Sequence, residues 1–173
     1  MTNERFGAVK FGNTDQTIVG PDLKPGDPAP DFVAIGNDWA EVHPLKASAG
    51  KVIVLAAVLS LDTSVCDRET RRFNTEASQL GTDVRIYTLS MDLPFTQQRW
   101  CGAAGIDQVT TLSDHLHADF GSRYGCLLKE MRILRRAVFV VGRDGKLAYA
   151  DYMAALGDEP RYDDVLAAVK KAL

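Results

Sequence analysis

Residues 51–90 read KVIVLAAVLSLDTSVCDRETRRFNTEASQLGTDVRIYTLS, and this stretch decides the fold. Lys51–Val58 is a near-continuous apolar run behind a glycine, as expected of a central strand covered on both faces. The polar turn Asp62-Thr63-Ser64 follows, and then Phe73, Ala77 and Leu80 recur at helical spacing up to Gly81, which reads as a stop. Val84–Ser90 is a second apolar strand. Together they spell strand–helix–strand, for which a parallel crossover is the default.

Working outward, Ala8–Phe11 and Thr17–Val19 flank the polar turn Gly12–Asp15 and predict an N-terminal hairpin. Pro21–Pro30 holds four prolines and reads as an extended surface segment leading into Phe32–Ile35. A short helix is expected near Gln97–Ala104 and a short strand at Val109–Leu112. Ala137–Val141 and Lys146–Tyr149 enclose Gly142-Arg143-Asp144-Gly145, a hairpin signal. Tyr162, Val165, Leu166, Val169 and Leu173 form an amphipathic helical stripe. The sum is an α/β domain of thioredoxin-like kind, a mixed central sheet flanked by helices, with an added N-terminal β-hairpin. The expected organisation is one domain over 1–173, residues 1–20 being the hairpin extension.

With 173 residues, 46% apolar and 25% charged, the chain has the composition of a globular protein large enough for its own core. A net charge of −3 with both signs interspersed points to neither nucleic acid nor an anionic membrane as partner. No run approaches the roughly 18 apolar residues of a membrane span, and Met1–Lys10 has no apolar segment of the secretory type. The expectation is cytoplasm. Three cysteines then suggest free, catalytic or redox thiols in place of a disulfide framework.

Cys66 falls in the first turn of the helix that follows the buried strand. Unpaired N–H groups and the positive end of the helix dipole favour an anion there, and the thiolate is the reactive form of a cysteine. Thr63, three residues earlier, can cap the helix or hold its hydroxyl beside the sulfur. Arg68, Arg71 and Arg72 add positive potential. The competing reading makes Cys66 a small core hydrophobe. Cys101, thirty-five positions on, pairs with it only if the fold brings the two Cα atoms within about 7 Å; otherwise it is a second buried thiol. Cys126, between Gly125 and Leu127, reads as core packing. Arg135 and Arg136 stand at a strand entrance, where a guanidinium is either solvated or aimed at an anion. His115 and His117 would need further convergent ligands to hold a metal, so a solvated face is the better reading. His43, before Pro44, reads as a loop residue.

Ser60-Leu61-Asp62-Thr63-Ser64-Val65-Cys66-Asp67 resembles the peroxidatic motif of the bacterial thiol peroxidases, an atypical two-cysteine branch of the peroxiredoxins. The likeness continues through Glu69-Thr70-Arg71-Arg72-Phe73-Asn74, Ser90-Met91-Asp92-Leu93-Pro94-Phe95, Gln98-Arg99-Trp100-Cys101-Gly102 and Leu134-Arg135-Arg136-Ala137-Val138-Phe139. It also takes in Gly26–Phe32, Thr111–Asp114, Asp119-Phe120-Gly121 and Tyr124-Gly125, in order along nearly the whole chain. The resemblance implies Cys66 as the peroxidatic cysteine, Cys101 as the resolving one, Thr63 as the residue contacting sulfur and peroxide, and Arg136 as the stabiliser of the thiolate. It implies a hydroperoxide substrate, with alkyl hydroperoxides preferred and hydrogen peroxide also taken, thioredoxin as reductant, a homodimer, and no cofactor or metal. One position departs: Leu59 stands where the family has a proline, which restores a backbone N–H and frees φ. That departure keeps open a redox sensor or an impaired peroxidase. A disulfide reductase would carry Cys-x-x-Cys, which this chain lacks.

Overall fold

The computed structural model describes residues 3–173. In chain order the elements are β1 (Glu4–Phe11), β2 (Thr14–Val19), β3 (Ala34–Ile35), β4 (Glu41–Val42), α1 (Pro44–Ala47), β5 (Val52–Ala57) and α2 (Ser64–Leu80). There follow β6 (Val84–Ser90), α3 (Pro94–Ala104), β7 (Thr110–Ser113), α4 (Asp119–Arg123) and β8 (Leu127–Leu128). The last are β9 (Ile133–Leu134), β10 (Ala137–Val141), β11 (Leu147–Tyr152) and α5 (Tyr162–Ala172).

The main sheet has the order β11-β10-β5-β6-β7-β3-β4. Its centre is the expected parallel pair β5–β6, extended in parallel by β7, while β10 runs antiparallel to β5 and β3 antiparallel to β7. Alternate residues of a strand face opposite ways, and the two faces bury different partners. Val52, Val54 and Ala56 join Val138 and Val140 against Phe73 of α2 and Val165 and Val169 of α5. Ile53, Leu55 and Ala57 join Phe139 on the other face, against Phe32, Phe120 and Tyr124. Every residue from Val52 to Val58 is buried, which is why that stretch reads as unbroken apolar sequence.

The N-terminal hairpin is longer than its apolar residues suggest, with a register irregularity between Phe6 and Val9. It does not stand alone. β2 pairs with β8, and β8 with β9, so the hairpin is half of a second, four-stranded sheet, β1-β2-β8-β9. This junction needs two glycines: a Cβ on Gly20 would collide with the Ser122 carbonyl, and one on Gly125 with the Pro21 carbonyl, both at positive φ.

Helix α2 begins and ends where its residues say. Thr63 takes the extended N-cap conformation and Gly81, with φ +76°, ends it. The capping role open to the Thr63 side chain is not taken up: its hydroxyl donates to the Ser60 carbonyl at 3.0 Å. Helix α3 begins at Pro94, three residues before the expected start near Gln97, because the proline supplies a preset first helical residue. His43 takes the N-cap position of α1. No helix among the described residues is long and apolar enough to cross a membrane.

Candidate active site

Sheet register assembles the site. β10 lies antiparallel on β5 with Ala137 opposite Ala57, so Arg136, one residue before β10, arrives beside the chain leaving β5 for α2. Cys66 is the third residue of α2 and is wholly buried, clustered with Val58 and Leu61, with Leu59 and Trp100 packed against them. Arg136, itself 1% exposed, donates from Nη2 to Cys66 Sγ at 3.3 Å and to the Leu156 carbonyl at 3.3 Å. Its Nη1 donates to Glu69 Oε2. Thus a guanidinium that a strand entrance would normally expose is held inside, between a sulfur and a carboxylate.

Glu69 is the residue that the sequence reading left without a role. It is fully buried. The signal was in the spacing: Cys66, Glu69, Thr70 and Phe73 stand at i, i+3, i+4 and i+7, one helical stripe, and all four are buried. Burial pushes the Glu69 carboxyl well above the usual range, and Arg136 pulls against that shift. Burial also works against the Arg136 charge, yet Glu69 and the Cys66 sulfur more than offset it, so its pKa is raised. Glu69 Oε1 and Arg136 Nε find no hydrogen-bond partner among the described residues, so the pair is incompletely satisfied.

Thr63 is exposed at the rim, one turn before Cys66, with its hydroxyl turned to Ser60 and not to the sulfur. Its carbonyl accepts the Asp67 N–H at 2.9 Å. The N–H groups of Ser64, Val65 and Cys66 therefore lack intrahelical acceptors, as in any first turn.

Cys101 lies on α3, half-buried, with Sγ 3.3 Å from Thr111 Oγ1 on β7. Burial pushes its thiol up, with Thr111 acting in the opposite sense. Asn37 donates to the same Thr111 hydroxyl at 3.2 Å. Successive helical residues point about 100° apart, so Trp100 faces α2 where Cys101 does not. The indole Nε1 donates to Asp67 Oδ1 at 3.2 Å, while Arg71 donates to Asp67 Oδ2 at 2.9 Å and lies over the indole ring. The immediate neighbours of the two cysteines, Asp67 and Trp100, are thus joined. All three thiols are free.

Cys126 is fully buried, pushed up to about 12 by burial, with its Sγ 3.4 Å from the Tyr124 carbonyl. Arg135 turns away from the site to Asp22 and the Gly125 carbonyl, stacked 4.0 Å over Tyr152. The two histidines diverge: His115 Nδ1 is 2.8 Å from Ser113 Oγ, and His117 Nε2 is 3.2 Å from Glu41. Among the described residues no group of three or more His, Cys, Asp or Glu side chains could hold a metal ion.

A buried thiol at a helix start, faced by an arginine from a distant strand, can be compared with known proteins. The model of the Redoxin family matches residues 24–166. The chain is 49% identical to the thiol peroxidase of Oceanobacillus iheyensis, over 94% of its own length and 98% of the relative's. To the thiol peroxidase of Bacillus subtilis it is 47% identical, covering 94% and 96%. Among solved structures, a peroxiredoxin-like protein from Aquifex aeolicus superposes with a TM-score of 0.86 at 36% identity, covering 99% of each chain. The thiol peroxidase from Chromobacterium violaceum, at 20% identity, shares the fold with a TM-score of 0.81 over 94% and 95%. Likeness that runs almost end to end, through both sheets and the segment bearing Cys66, places the chain in the redoxin family, among the peroxiredoxin-type thiol peroxidases.

Proposed function

We propose that this thiol-dependent peroxidase reduces alkyl hydroperoxides, and hydrogen peroxide as well, through Cys66, with Cys101 of the same chain as resolving cysteine and thioredoxin as reductant. The observation that carries the reading is the 3.3 Å contact from Arg136 Nη2 to a buried Cys66 Sγ in the first turn of α2. A guanidinium and unpaired N–H groups favour a thiolate at that point and then the negative charge that appears as the O–O bond breaks.

The steps balance as follows. The Cys66 thiolate attacks the distal, hydroxyl-bearing oxygen of ROOH; an S–O bond forms, the O–O bond breaks, and RO⁻ leaves to take a proton as ROH. Arg136 faces the charge, and Thr63, at the exposed rim, orients the peroxide by exchanging its Ser60 carbonyl partner for a peroxide oxygen. Cys66 is now a sulfenic acid. The Cys101 thiol attacks its sulfur, forming the disulfide and releasing water. Cys66 is buried and Cys101 points to Thr111, so the first turn of α2 must unwind before the sulfurs can meet. Exchange with a dithiol restores both thiols. The apolar walls around the sulfur, Val58, Leu59, Leu61 and Trp100, suit an alkyl chain better than water. Exposed Leu93, Phe95, Trp39 and Leu116, with the Trp39 and Phe95 rings 4.9 Å apart, offer an apolar surface for the expected homodimer.

A second reading rests on Leu59, which packs against the Cys66 cluster. If this side chain closes the pocket, the protein is a slow sensor that passes its oxidation to a partner. Turnover separates the two. With thioredoxin and an organic hydroperoxide, the native chain should cycle, Cys66→Ser should consume no peroxide, and Cys101→Ser should be oxidised once and not recycle. Turnover by Cys66→Ser refutes the assignment.

A further inference from the structure

We infer that Asp92 is a positioning residue that holds the Cys66 loop wound and thereby sets the rate at which the two cysteines meet. The inference deepens the proposed function and rests on its assignment of Cys66 and Cys101.

Asp92 sits in the turn between β6 and α3, half-buried. Its carboxylate reaches across 31 and 32 residues of sequence to the loop that precedes α2. Oδ1 accepts the Ser60 hydroxyl at 2.7 Å, and Oδ2 accepts the Leu61 N–H at 2.8 Å. The Ser90 hydroxyl also donates to Oδ2, at 2.8 Å. Hydrogen bonds to an ionised acceptor are the strong ones, and three converge on this one carboxylate. Leu61 is fully buried and packs in the same cluster as Cys66. Unwinding that brings Cys66 out of its pocket therefore pulls on the segment Asp92 grips.

The grip is braced from behind. Gln97, on the first turns of α3, donates from Nε2 to Ser90 Oγ at 3.0 Å and to the Leu112 carbonyl at 3.0 Å. The Ser113 hydroxyl donates to the Asp92 carbonyl. Ser90, Gln97 and Ser113 are all fully buried. One network thus ties the loop before Cys66 to the base of the helix that carries Cys101. A residue needed only to stabilise β6 would have no reason to reach the Cys66 loop.

The two chemical steps make opposite demands on this network. Attack on peroxide needs the wound state, with Cys66 against Arg136. Disulfide formation needs the unwound one. An asparagine at position 92 keeps one acceptor but turns an NH₂ group toward N–H and O–H donors. The wound state then weakens and the unwound state gains population.

The test uses Asp92→Asn and Ser60→Ala in the full chain. Reduced protein is mixed with varied organic hydroperoxide, and Trp fluorescence is followed with acid-quenched mass spectrometry. The concentration-dependent phase gives oxidation; the concentration-independent phase gives resolution. For Asp92→Asn, resolution should be about tenfold faster, oxidation no faster than native, and the over-oxidised fraction at high peroxide smaller. Ser60→Ala, which removes one of the three bonds, should shift all three the same way by a smaller factor, and it decides the matter if Asp92→Asn does not fold. Native rates in both phases, or both phases slowed together as general loosening would give, overturn the inference. If the native chain itself forms no Cys66–Cys101 disulfide, it is the assignment of the cysteines that fails.

Discussion

Replacing Glu69 by alanine should be among the most costly single changes in the molecule, and it probes whether Arg136 is held as described. The carboxylate is wholly buried and faces a guanidinium that is itself 1% exposed and whose other contacts among the described residues are the Cys66 sulfur and the Leu156 carbonyl. Removing it leaves Arg136 Nη1 without its acceptor, beside an Nε that already has none. Breaking one side of a buried pair costs about 3–5 kcal/mol, against a total stability on the order of 5–15 kcal/mol. At roughly 2–4 °C per kcal/mol for a chain of this size, the melting temperature should fall by about 6–20 °C. Arg136→Leu should cost less, for a physical reason. The stranded Glu69 carboxyl is already pushed up by burial and can take a proton, whereas a stranded guanidinium cannot lose one. Its cost should shrink further as pH falls. In the double variant Glu69→Ala/Arg136→Leu neither charge is left buried, so the loss should be well below the sum of the singles. Urea denaturation of the four proteins reads this directly. A loss under about 1 kcal/mol for Glu69→Ala, or strict additivity in the double variant, would refute the picture of a buried, mutually dependent pair.

Other expectations follow from the same geometry. Asp22 accepts from Arg5 and Arg135; burial raises its pKa, but the two arginines outweigh that and lower it. A folded-state pKa below the unfolded one gives stability that is present above the unfolded value and lost as pH falls through the folded one. Asp22→Asn should therefore be less stable than native at pH 7, with the gap closing below about pH 4 in acid titrations followed by circular dichroism. Cys126, pushed up to about 12 and fully buried, should resist iodoacetamide in the folded protein and react only in denaturant, and Cys126→Ser should leave peroxide turnover unchanged. Because Trp100 donates to Asp67 beside Cys66, its emission should change when α2 unwinds; Asp67→Ala, which removes the acceptor, should alter the emission of the reduced protein, and an unchanged spectrum would exclude that contact in solution.

Much of the fold was legible because its central pieces are long and periodic. Val52–Ala57, Ser64–Leu80 and Val84–Ser90 each bury a consistent set of residues and follow the strand–helix–strand reading closely. What escaped was short. β8 and β9 have two residues each and show no period of their own; they become strands because β2 lies beside them. The second sheet was therefore invisible, and the hairpin looked like an appendage. Of the site, the helix-start thiol was readable from local sequence, since it depends only on Cys66 following a strand and a turn. The burial of Arg136 was not, since it depends on β10 lying on β5, a pairing across some 80 residues. Glu69 lay between: its place in the stripe of Cys66, Thr70 and Phe73 marks it as buried, but its partner is set by the sheet. For His115 and His117 the sequence favoured a solvated face over a metal site, and the two rings diverge in space, one turned to Ser113 and the other to Glu41.

The central claim is that Cys66 attacks the peroxide and Cys101 completes the turnover. Fully reduced protein mixed with one equivalent of an organic hydroperoxide, quenched and mapped by mass spectrometry, tests it most directly. The account predicts loss of two thiols with a rate constant above about 10⁴ M⁻¹s⁻¹ and a single Cys66–Cys101 bridge, with Cys126 still reduced. Oxidation no faster than that of a free thiol, or a bridge involving Cys126, would contradict it.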